Sequence, residues 1–217
     1  MDVCIATLNC YDLLERCINS IMAGTVLPER ILVVDNGGSL LKQMYEDNPL
    51  VQISTPGENI GVAATWNWFI THTKVARIIT NDDIIFAPDT IARMQEAIDK
   101  GALFVHGNNA TGGFSLFALT DVAVDLVGMF DEGISPKYAY YEDNDYAYRL
   151  KLAGIEREDV ATEIFHTGSA TLRRYTHQEE QEHWRKFLIA NLNYIAKWGG
   201  EPGHETRNTV YERDLPR

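Results

Sequence analysis

The chain has 217 residues, of which 45% are hydrophobic and 10% aromatic, and this is enough apolar material for the core of one folded domain. Its formal net charge of −12 repels polyanions, so the composition disfavours nucleic acid as a partner. No apolar run reaches the length of a membrane span, so the sequence predicts a soluble protein.

The first half of the chain alternates strand and helix patterns. Apolar runs rich in β-branched residues predict strands at 3–8, within 30–38, at 51–55 and within 75–80. Apolar residues at helical spacing predict a helix that ends at Gly24 and another over 62–73, and Pro88 opens a third. Elements that alternate in this way predict βαβ units and a mostly parallel, doubly wound sheet.

Polar side chains follow the predicted strands at the points where they end. Such sheets bind ligands at the carboxyl ends of their strands. Carboxylates and amides at this edge suit the base and ribose of a nucleotide and a metal ion. The residues are Thr7, Asn9, Asp35, Asn36, Asn81, Asp82 and Asp83.

The second half changes character. Strands are predicted within 103–109 and 112–119, and a helix within 120–128 ends at Gly128. A helix over 139–154 and a strand leading to His166 follow. A long amphipathic helix is predicted over 177–198, and its apolar face is suited to pack on its own domain or on a second subunit as a homodimer.

Two acidic clusters and one histidine are the candidates for chemistry. Asp82 and Asp83 fit a clamp for Mg²⁺ or Mn²⁺ with a diphosphate, and the alternative is a simple turn. Glu142, Asp143 and Asp145 either cap a helix or, because they repel one another, provide a proton acceptor with a raised pKa. His166, at a strand end, is either a structural residue or a nitrogen ligand of the same metal.

The order of the motifs resembles glycosyltransferase family 2, the inverting enzymes of the GT-A fold. The blocks VCIATLNCYDLLERCINSI, ILVVDNGG, ENIGVAATWN, ITNDDIIFAPDTI, GGFSLFAL, GMFDEG, YYEDNDYAYRLKLAG and FHTGS are colinear with that family over residues 3 to about 170. The resemblance implies a Rossmann-like, doubly wound α/β fold of GT-A type with a C-terminal helix.

The resemblance also implies roles for single residues. Asp35 would contact the base or ribose, and Asn59 and Asn67 would line the donor pocket together with Gly61. Asn81, Asp82 and Asp83 stand at the family's Asp-x-Asp motif, which gives Asp83 most of the metal binding, and His166 would reach the metal or the diphosphate. Asp143 matches the catalytic base, with Gly112 and Gly113 on the acceptor side. Glu142, Asp145 and Arg149 would orient the site or contact donor phosphates.

The sequence therefore predicts a metal-dependent, inverting glycosyltransferase that uses Mn²⁺ or Mg²⁺. Its donor would be a UDP-, GDP- or dTDP-sugar, and its acceptor a carbohydrate, a glycoconjugate or a protein. One catalytic domain is predicted over 1–217, with a donor half at 1–100, an acceptor half at 101–175, and a C-terminal helix and tail at 176–217.

Two alternatives stay open at this point. One is an inactive GT-A domain that binds carbohydrate or protein, and the other is a sugar-phosphate nucleotidyltransferase. Nucleotidyltransferases need a glycine-rich, basic loop after the first strand, and TLNCYDLLERC does not provide one.

The three cysteines, Cys4, Cys10 and Cys17, lack a Cys-x-x-Cys spacing, so they predict buried thiols in the reducing cytoplasm.

Overall fold

A computed structural model describes residues 1–39, 45, 47–74, 76–107, 113–168 and 171–209. Its first half contains β1 (Asp2–Thr7), α1 (Tyr11–Met22), β2 (Ile31–Asp35), β3 (Val51–Ser54), α2 (Val62–His72), β4 (Arg77–Asn81), β5 (Ile84–Ile85) and α3 (Thr90–Asp99). Its second half contains β6 (Phe104–Gly107), β7 (Leu116–Leu119), α4 (Asp121–Val127), α5 (Glu142–Leu152), β8 (Arg157–Val160), β9 (Phe165–His166), a 3-10 helix (Leu172–Arg174) and α6 (His177–Trp198).

Seven strands form one central sheet in the order β3-β2-β1-β4-β7-β6-β8. The first four strands of that order run parallel to one another, and β6 and β8 are also parallel. Only β7 runs antiparallel to its two neighbours in this sheet of the described residues. The sheet is therefore mostly parallel and carries helices, as the sequence predicts.

Both faces of the sheet are buried, because successive strand residues point to opposite sides. On β1, Val3 and Ile5 join the apolar layer that includes α1 and α3. Cys4 points the other way, into the layer that includes α2 and α5. Cys10 and Cys17 are buried as well, and all three thiols are free, which confirms the predicted buried cysteines.

A second, two-stranded sheet was not predicted. β5 and β9 pair antiparallel, with Ile84 opposite His166. The predicted strand before His166 is in fact divided into β8 and β9, with residues 161–164 between them. A two-residue strand carries too little pattern to be recognised, and its partner lies far along the chain.

The helix that carries the acidic cluster starts later than predicted. The sequence indicates a start near Ala139, whereas α5 begins at Glu142. Tyr140 and Tyr141 have φ values of 90° and 68°, and such left-handed residues do not continue a helix. The prediction for α3 was wrong by less, since it begins at Thr90 rather than at Pro88.

Helix α6 has the predicted bounds. Thr176 caps its N-terminus in a capping box with Glu179, and Gly199 follows its end with a φ of 78°. Its apolar side chains Trp184, Leu188 and Leu192 are more than half exposed. Within the residues that the structure describes, no helix is both long and apolar enough to cross a membrane.

Candidate functional site

A cavity of about 530 Å³ lies at the carboxyl ends of β1 and β4, beside the start of α5. This is the edge where a parallel sheet binds its ligands. Eleven residues that the sequence analysis selects line this cavity. They are Thr7, Asn36, Asn59, Gly61, Asn81, Asp82, Asp83, Gly113, Glu142, Asp143 and His166. The structure thus brings together both acidic clusters and the histidine, which are distant in sequence.

Asp83 and His166 meet on one side of the cavity. The Nε2 atom of His166 lies 3.1 Å from Oδ1 of Asp83, and both side chains are largely buried. The small sheet places them there, because Ile84 pairs with His166 and the Thr167 amide donates to the Asp83 carbonyl oxygen at 3.1 Å. The carboxyl group of Asp83 and the imidazole of His166 are therefore in contact with each other at the cavity wall.

The donor set of this pair fits a divalent ion such as Mn²⁺. The described residues contain no cluster of three or more His, Cys, Asp or Glu side chains in positions to hold a metal. Mg²⁺ and ions like it are typically held by one or two protein side chains, and substrate phosphates and water supply the other ligands. Asp83 and His166 satisfy that requirement only together with a phosphate-bearing ligand.

Asp82 lies beside this pair and is held by β1. The Oγ1 atom of Thr7 donates a hydrogen bond of 2.6 Å to Oδ2 of Asp82. Burial raises the pKa of Asp82 to about 7, against the lowering effect of the Thr7 hydrogen bond. Asn81 ends β4 next to it and lines the cavity with a neutral amide. Desolvation therefore favours the protonated form of the Asp82 carboxyl.

Asp143 lies at the start of α5, in the same cavity. Its Oδ1 accepts a hydrogen bond of 2.8 Å from the Asn144 amide. Burial raises the pKa of Asp143, while amide hydrogen bonds from Asn144 and Phe114 lower it. Gly113 lies close by, since a Cβ atom on it would be 3.3 Å from Oδ2 of Asp143. Gly112 lies outside the described residues.

The turn before Asp143 is held in place by α6. The ring of Tyr140 makes edge contacts with those of His183 and Phe187, and the Tyr141 hydroxyl accepts a hydrogen bond of 2.8 Å from Asn191. Left-handed conformations of bulky residues cost energy and persist only where surrounding contacts fix them. The C-terminal helix thereby sets the position at which α5 begins.

Glu142 is the most deeply buried acid of the cavity, with only 5% of its surface exposed. Burial raises its pKa to about 8, and the charge of neighbouring Asp143 acts in the same direction. A buried acid with a raised pKa leaves folding unaffected below its pKa in the unfolded chain. Stability is then lost, by about 1.4 kcal/mol per pH unit, as the pH rises towards the pKa in the folded state.

We therefore expect the Glu142→Gln variant to gain stability over the wild type as the pH rises. At pH 4 the two proteins should unfold alike, because Glu142 is protonated in both the folded and unfolded states. Between pH 4.5 and 8 the advantage of the Gln variant should grow to a few kcal/mol. Urea unfolding at pH 4, 6 and 8, without metal or nucleotide, measures it.

The exposed residue Glu156 provides the control for this comparison. The Glu156→Gln variant removes the same charge from the surface, so its stability should follow that of the wild type at every pH. A constant difference between wild type and the Glu142→Gln variant from pH 4 to pH 8 would contradict the raised pKa.

Asp35 ends β2 but does not line the cavity. It is 1% exposed, and its Oδ1 accepts hydrogen bonds from the Tyr11 hydroxyl at 2.9 Å and the Gly37 amide at 3.0 Å. The next residue, Asn36, does line the cavity. Its side chain donates to Thr65 at 2.9 Å and accepts from the Ile60 amide at 3.1 Å, which fixes the loop beside Asn59.

Two other predicted donor-site residues also lie outside the cavity. Asn9, with a φ of 59°, lines a neighbouring groove of about 450 Å³. Asn67 is buried on α2, and its amide forms hydrogen bonds of 2.8 to 3.0 Å with Phe130 and Glu132 in the loop after α4. Donor contacts by Asn9, Asn67 and Asp35 remain predictions.

Asp145 and Arg149 belong to a buried ionic network that joins α5 to α6. Asp145 accepts from Arg149 at 2.9 Å and from Trp198 at 2.8 Å, and it lies 2.7 Å from the Lys197 ammonium. Lys197 also binds Asp131 at 2.9 Å. All of these side chains are nearly inaccessible to solvent. The network holds the helices together, and a role of Asp145 and Arg149 in donor binding stays an untested prediction.

We expect the Lys197→Met variant to lose about 3–5 kcal/mol of folding stability, because it leaves two buried carboxylates without their shared cation. Equilibrium urea unfolding at pH 7 measures the change. The matched control is Lys100→Met, which breaks an exposed pair with Glu96 and should leave unfolding almost unchanged. Equal effects of the two substitutions would contradict the structural role of Lys197.

Several cavity residues were not selected from the sequence. Tyr138, Tyr140, Tyr175 and His183 form an aromatic wall, in which the Tyr138 hydroxyl lies 2.8 Å from Nδ1 of His183. The tyrosines before α5 are evident in the sequence, but their pattern fits a core as well as a sugar site. His183 gives no signal, because its helix looks like an ordinary amphipathic helix.

The first part of this chain matches a known protein family. A family model described as Glycosyl transferase family 2 matches residues 2–119, which span β1 to β7 and include Thr7, Asp82 and Asp83. A search of curated proteins found no match to the chain.

Solved structures resemble the chain in fold at low sequence identity. S. aureus TarS, residues 1–349, matches with a TM-score of 0.61 and 12% identity over 91% of this chain and 73% of that one. Glucosyl-3-phosphoglycerate synthase from Mycobacterium tuberculosis, solved with Mn²⁺, UDP and glucosyl-3-phosphoglycerate, gives 0.63 and 13% over 91% and 79%. GalNAc-T7, solved with UDP, GalNAc and Mn²⁺, gives 0.65 and 13% over 90% and 50%.

Proposed function

This chain belongs to glycosyl transferase family 2, whose model matches residues 2–119 of its 217, and we propose that it transfers a sugar from a nucleoside diphosphate to an acceptor hydroxyl. The family match confirms the resemblance found in the sequence, and the fold is of the predicted GT-A type. The observation that carries the proposal is the meeting of Asp83, His166 and Asp143 in one cavity.

The proposed donor is a nucleoside diphosphate sugar of the UDP, GDP or dTDP class. Structures of similar fold support this choice, because TarS was solved with UDP-GlcNAc and glucosyl-3-phosphoglycerate synthase with UDP and Mn²⁺. In this chain, Thr7, Asn59 and Asn81 line the cavity, and they are proposed to contact the nucleotide.

The proposed reaction depends on a divalent metal, Mn²⁺ or Mg²⁺, which Asp83 and His166 would hold together with the donor's diphosphate. When bound, the ion supplies positive charge that stabilises the departing nucleoside diphosphate. Asp82 accepts a hydrogen bond from Thr7 and lines the same cavity, where it offers a second carboxyl group to the ligand.

Asp143 acts as the general base of the proposed reaction. Its carboxylate takes the proton of the acceptor hydroxyl, whose oxygen forms a bond to the anomeric carbon. The bond from that carbon to the diphosphate breaks, and its electron pair leaves with the nucleoside diphosphate. Because the acceptor attacks from the face opposite the leaving group, a single displacement inverts the anomeric configuration.

The first test is a thermal-shift screen with UDP, GDP, dTDP and CDP, each with and without Mn²⁺ or Mg²⁺. A ligand present at 100 times its dissociation constant stabilises the folded state by about 2.7 kcal/mol. For a chain of this size the melting temperature should then rise by at least about 5 °C. We expect that rise with one nucleotide, and only when the metal is present.

Two other outcomes have different meanings. No shift with any nucleotide and either metal would contradict the proposed function. Binding without transfer to any sugar acceptor, and without donor hydrolysis, would instead favour the alternative of an inactive binding domain.

The acceptor is proposed to be a carbohydrate, a glycoconjugate or a protein. The proposed location is the cytoplasm, because its reducing conditions suit the three free thiols. A homodimer through the apolar side of α6 remains a prediction, which the molecular mass in solution tests.

A further inference from the structure

A buried histidine contacts one of the peptide groups at the cavity. His106 lies on β6 and is 2% exposed, and β6 pairs with β8 so that His106 is opposite Asp159. The Nδ1 atom of His106 lies 2.9 Å from Oδ1 of Asp159, and its Nε2 atom lies 3.1 Å from the carbonyl oxygen of Gly113. The ring therefore connects the edge strand β8 to a loop that lines the cavity.

Both partners of the His106 ring are hydrogen-bond acceptors. A carbonyl oxygen has no proton to donate, so Nε2 carries one, and an ionised carboxylate likewise only accepts. Burial acts to raise the pKa of Asp159, but hydrogen bonds from Arg157 and His106 outweigh it and lower that pKa. Asp159 is therefore ionised at neutral pH. Nδ1 then carries a proton as well, and the ring is the charged imidazolium.

The peptide group that His106 contacts also reaches the proposed base. The carbonyl of Gly113 and the amide of Phe114 belong to one planar, trans peptide unit, in which they point in opposite directions. Burial raises the pKa of Asp143, and the Phe114 amide is one of the hydrogen-bond donors that act against it. Gly113 lies against the same carboxyl group, since a Cβ atom on it would be 3.3 Å from Oδ2 of Asp143.

These contacts form a chain from Asp159 through His106 and the peptide to Asp143. Hydrogen bonds in series polarise one another, so a positive charge at the carbonyl oxygen makes the amide at the other side of the peptide a stronger donor. The Gly113 oxygen also accepts from the Ser115 amide at 2.8 Å, so two donors hold the peptide in place.

The chain has charged neighbours at both ends. Arg157 donates to Oδ2 of Asp159 at 3.1 Å, which fixes that carboxylate on β8. Glu142 precedes Asp143 on α5 and interacts with its charge. The residue opposite His106 on β7 is Phe117, which does not titrate.

We propose that His106 is a positioning residue for the proposed reaction, whose charged ring orients the Gly113–Phe114 peptide and thereby the carboxylate of Asp143. This inference rests on the proposed function, because it concerns the same base. His106 acts only through the peptide, so it should affect proton transfer and leave the binding of the donor unchanged.

Two substitutions separate the two bonds of the ring. The amide nitrogen of Gln extends about as far as Nε2 and keeps a donor to Gly113, whereas that of Asn extends only about as far as Nδ1 and keeps a donor to Asp159. Both side chains are uncharged. The Asp159→Asn variant changes a side chain that is nearly half exposed, and it removes the charge that favours the imidazolium. The control is His204→Asn, at an exposed position.

The first measurement is the titration of Asp143, followed by the ¹³C NMR signal of its carboxyl carbon without metal or nucleotide. The Asp143→Asn variant identifies the signal. In His106→Asn the midpoint should lie at least about half a pH unit above that of the wild type, because the charged carboxylate has lost support. Asp159→Asn and His106→Gln should move it in the same direction by less, and His204→Asn should not move it.

The second measurement follows transfer in a single turnover. The His106→Asn variant should transfer sugar roughly tenfold more slowly at pH 7, and the acidic limb of its pH profile should move upward with the midpoint of Asp143. Its nucleotide affinity should stay within about threefold of the wild type. Long-range ¹H–¹⁵N correlation at pH 7 should show protons on both ring nitrogens of His106 in the wild type, and His106→Gln identifies these signals by their loss.

Three results would overturn the inference. A neutral His106 ring at pH 7 would remove the charge from the chain of contacts. Equal midpoints of Asp143 in the wild type, His106→Asn and Asp159→Asn would remove the connection to the base. A uniform loss of transfer at every pH, with an unmoved acidic limb, would mean that His106 only stabilises the fold. Failure of the wild type to transfer any sugar is a separate result: it contradicts the proposed function, whereas both NMR measurements need no substrate.

Discussion

Replacing Asp143 with Asn should lower the rate of sugar transfer by roughly 10²–10⁴-fold, the contribution typical of a general base. The amide has the same shape and its oxygen is still able to accept from the Asn144 amide, which now bonds Oδ1 at 2.8 Å. It has almost no affinity for a proton at neutral pH. Single-turnover transfer assays measure the loss, and calorimetry should show nucleotide affinity within about threefold of the wild type.

The control for this substitution is Asp125→Asn, on the exposed side of α4, which should transfer at the wild-type rate. The pH profile gives a second check. Because burial raises the pKa of Asp143, wild-type activity should decline on acidification at a higher pH than an ordinary aspartate would cause. An Asn variant with more than a tenth of wild-type activity would remove Asp143 from the role of base.

The first half of the fold is predictable because its signals are local. Apolar runs such as the one in β1 end in polar residues, and the intervening helices have clear apolar spacing. The bounds of α6 are predictable for the same reason, since Thr176 and Gly199 mark its two ends. These signals determine on which edge of the sheet Thr7, Asp82 and Asp83 lie.

The remaining features depend on contacts between distant parts of the chain. Tyrosine rarely adopts a positive φ, so the late start of α5 follows only from contacts of Tyr140 and Tyr141 with α6. The pairing of Ile84 with His166 is equally non-local. Such contacts leave no pattern in a short stretch of sequence.

The acidic residues at the start of α5 show that the residues of the site also depend on distant contacts. Sequence reasoning groups Glu142, Asp143 and Asp145, because all three lie in the first turn of a helix. The structure directs the first two to the cavity and the third to Lys197 and Trp198 at the end of α6. Whether an acidic residue of this run lines the cavity or stabilises the fold therefore depends on the residues that it contacts, which the sequence alone does not show.

Replacing Asp83 with Ala should weaken metal-dependent nucleotide binding by at least about tenfold, because even the partners of metal ligands contribute 10–100-fold to metal affinity. In the wild type, Nε2 of His166 lies 3.1 Å from Oδ1 of Asp83. In the variant, His166 would be the only one of these two side chains left to bind the metal. In the absence of metal, nucleotide affinity should stay the same or rise, since a negative charge near the diphosphate is removed. Titration of UDP, or of the nucleotide that the screen selects, at increasing Mn²⁺ concentrations measures both effects.

The comparison with His166→Ala and with the double variant determines whether the two residues act as one site. If they share an ion, the double variant should bind Mn²⁺ and nucleotide little worse than Asp83→Ala, because the first substitution already disrupts the site. The surface variant Asp125→Ala should titrate like the wild type. Losses that multiply in the double variant would mean that Asp83 and His166 act independently. An unchanged Mn²⁺ requirement in Asp83→Ala would contradict the metal clamp, even if Asp143 proved to be the base.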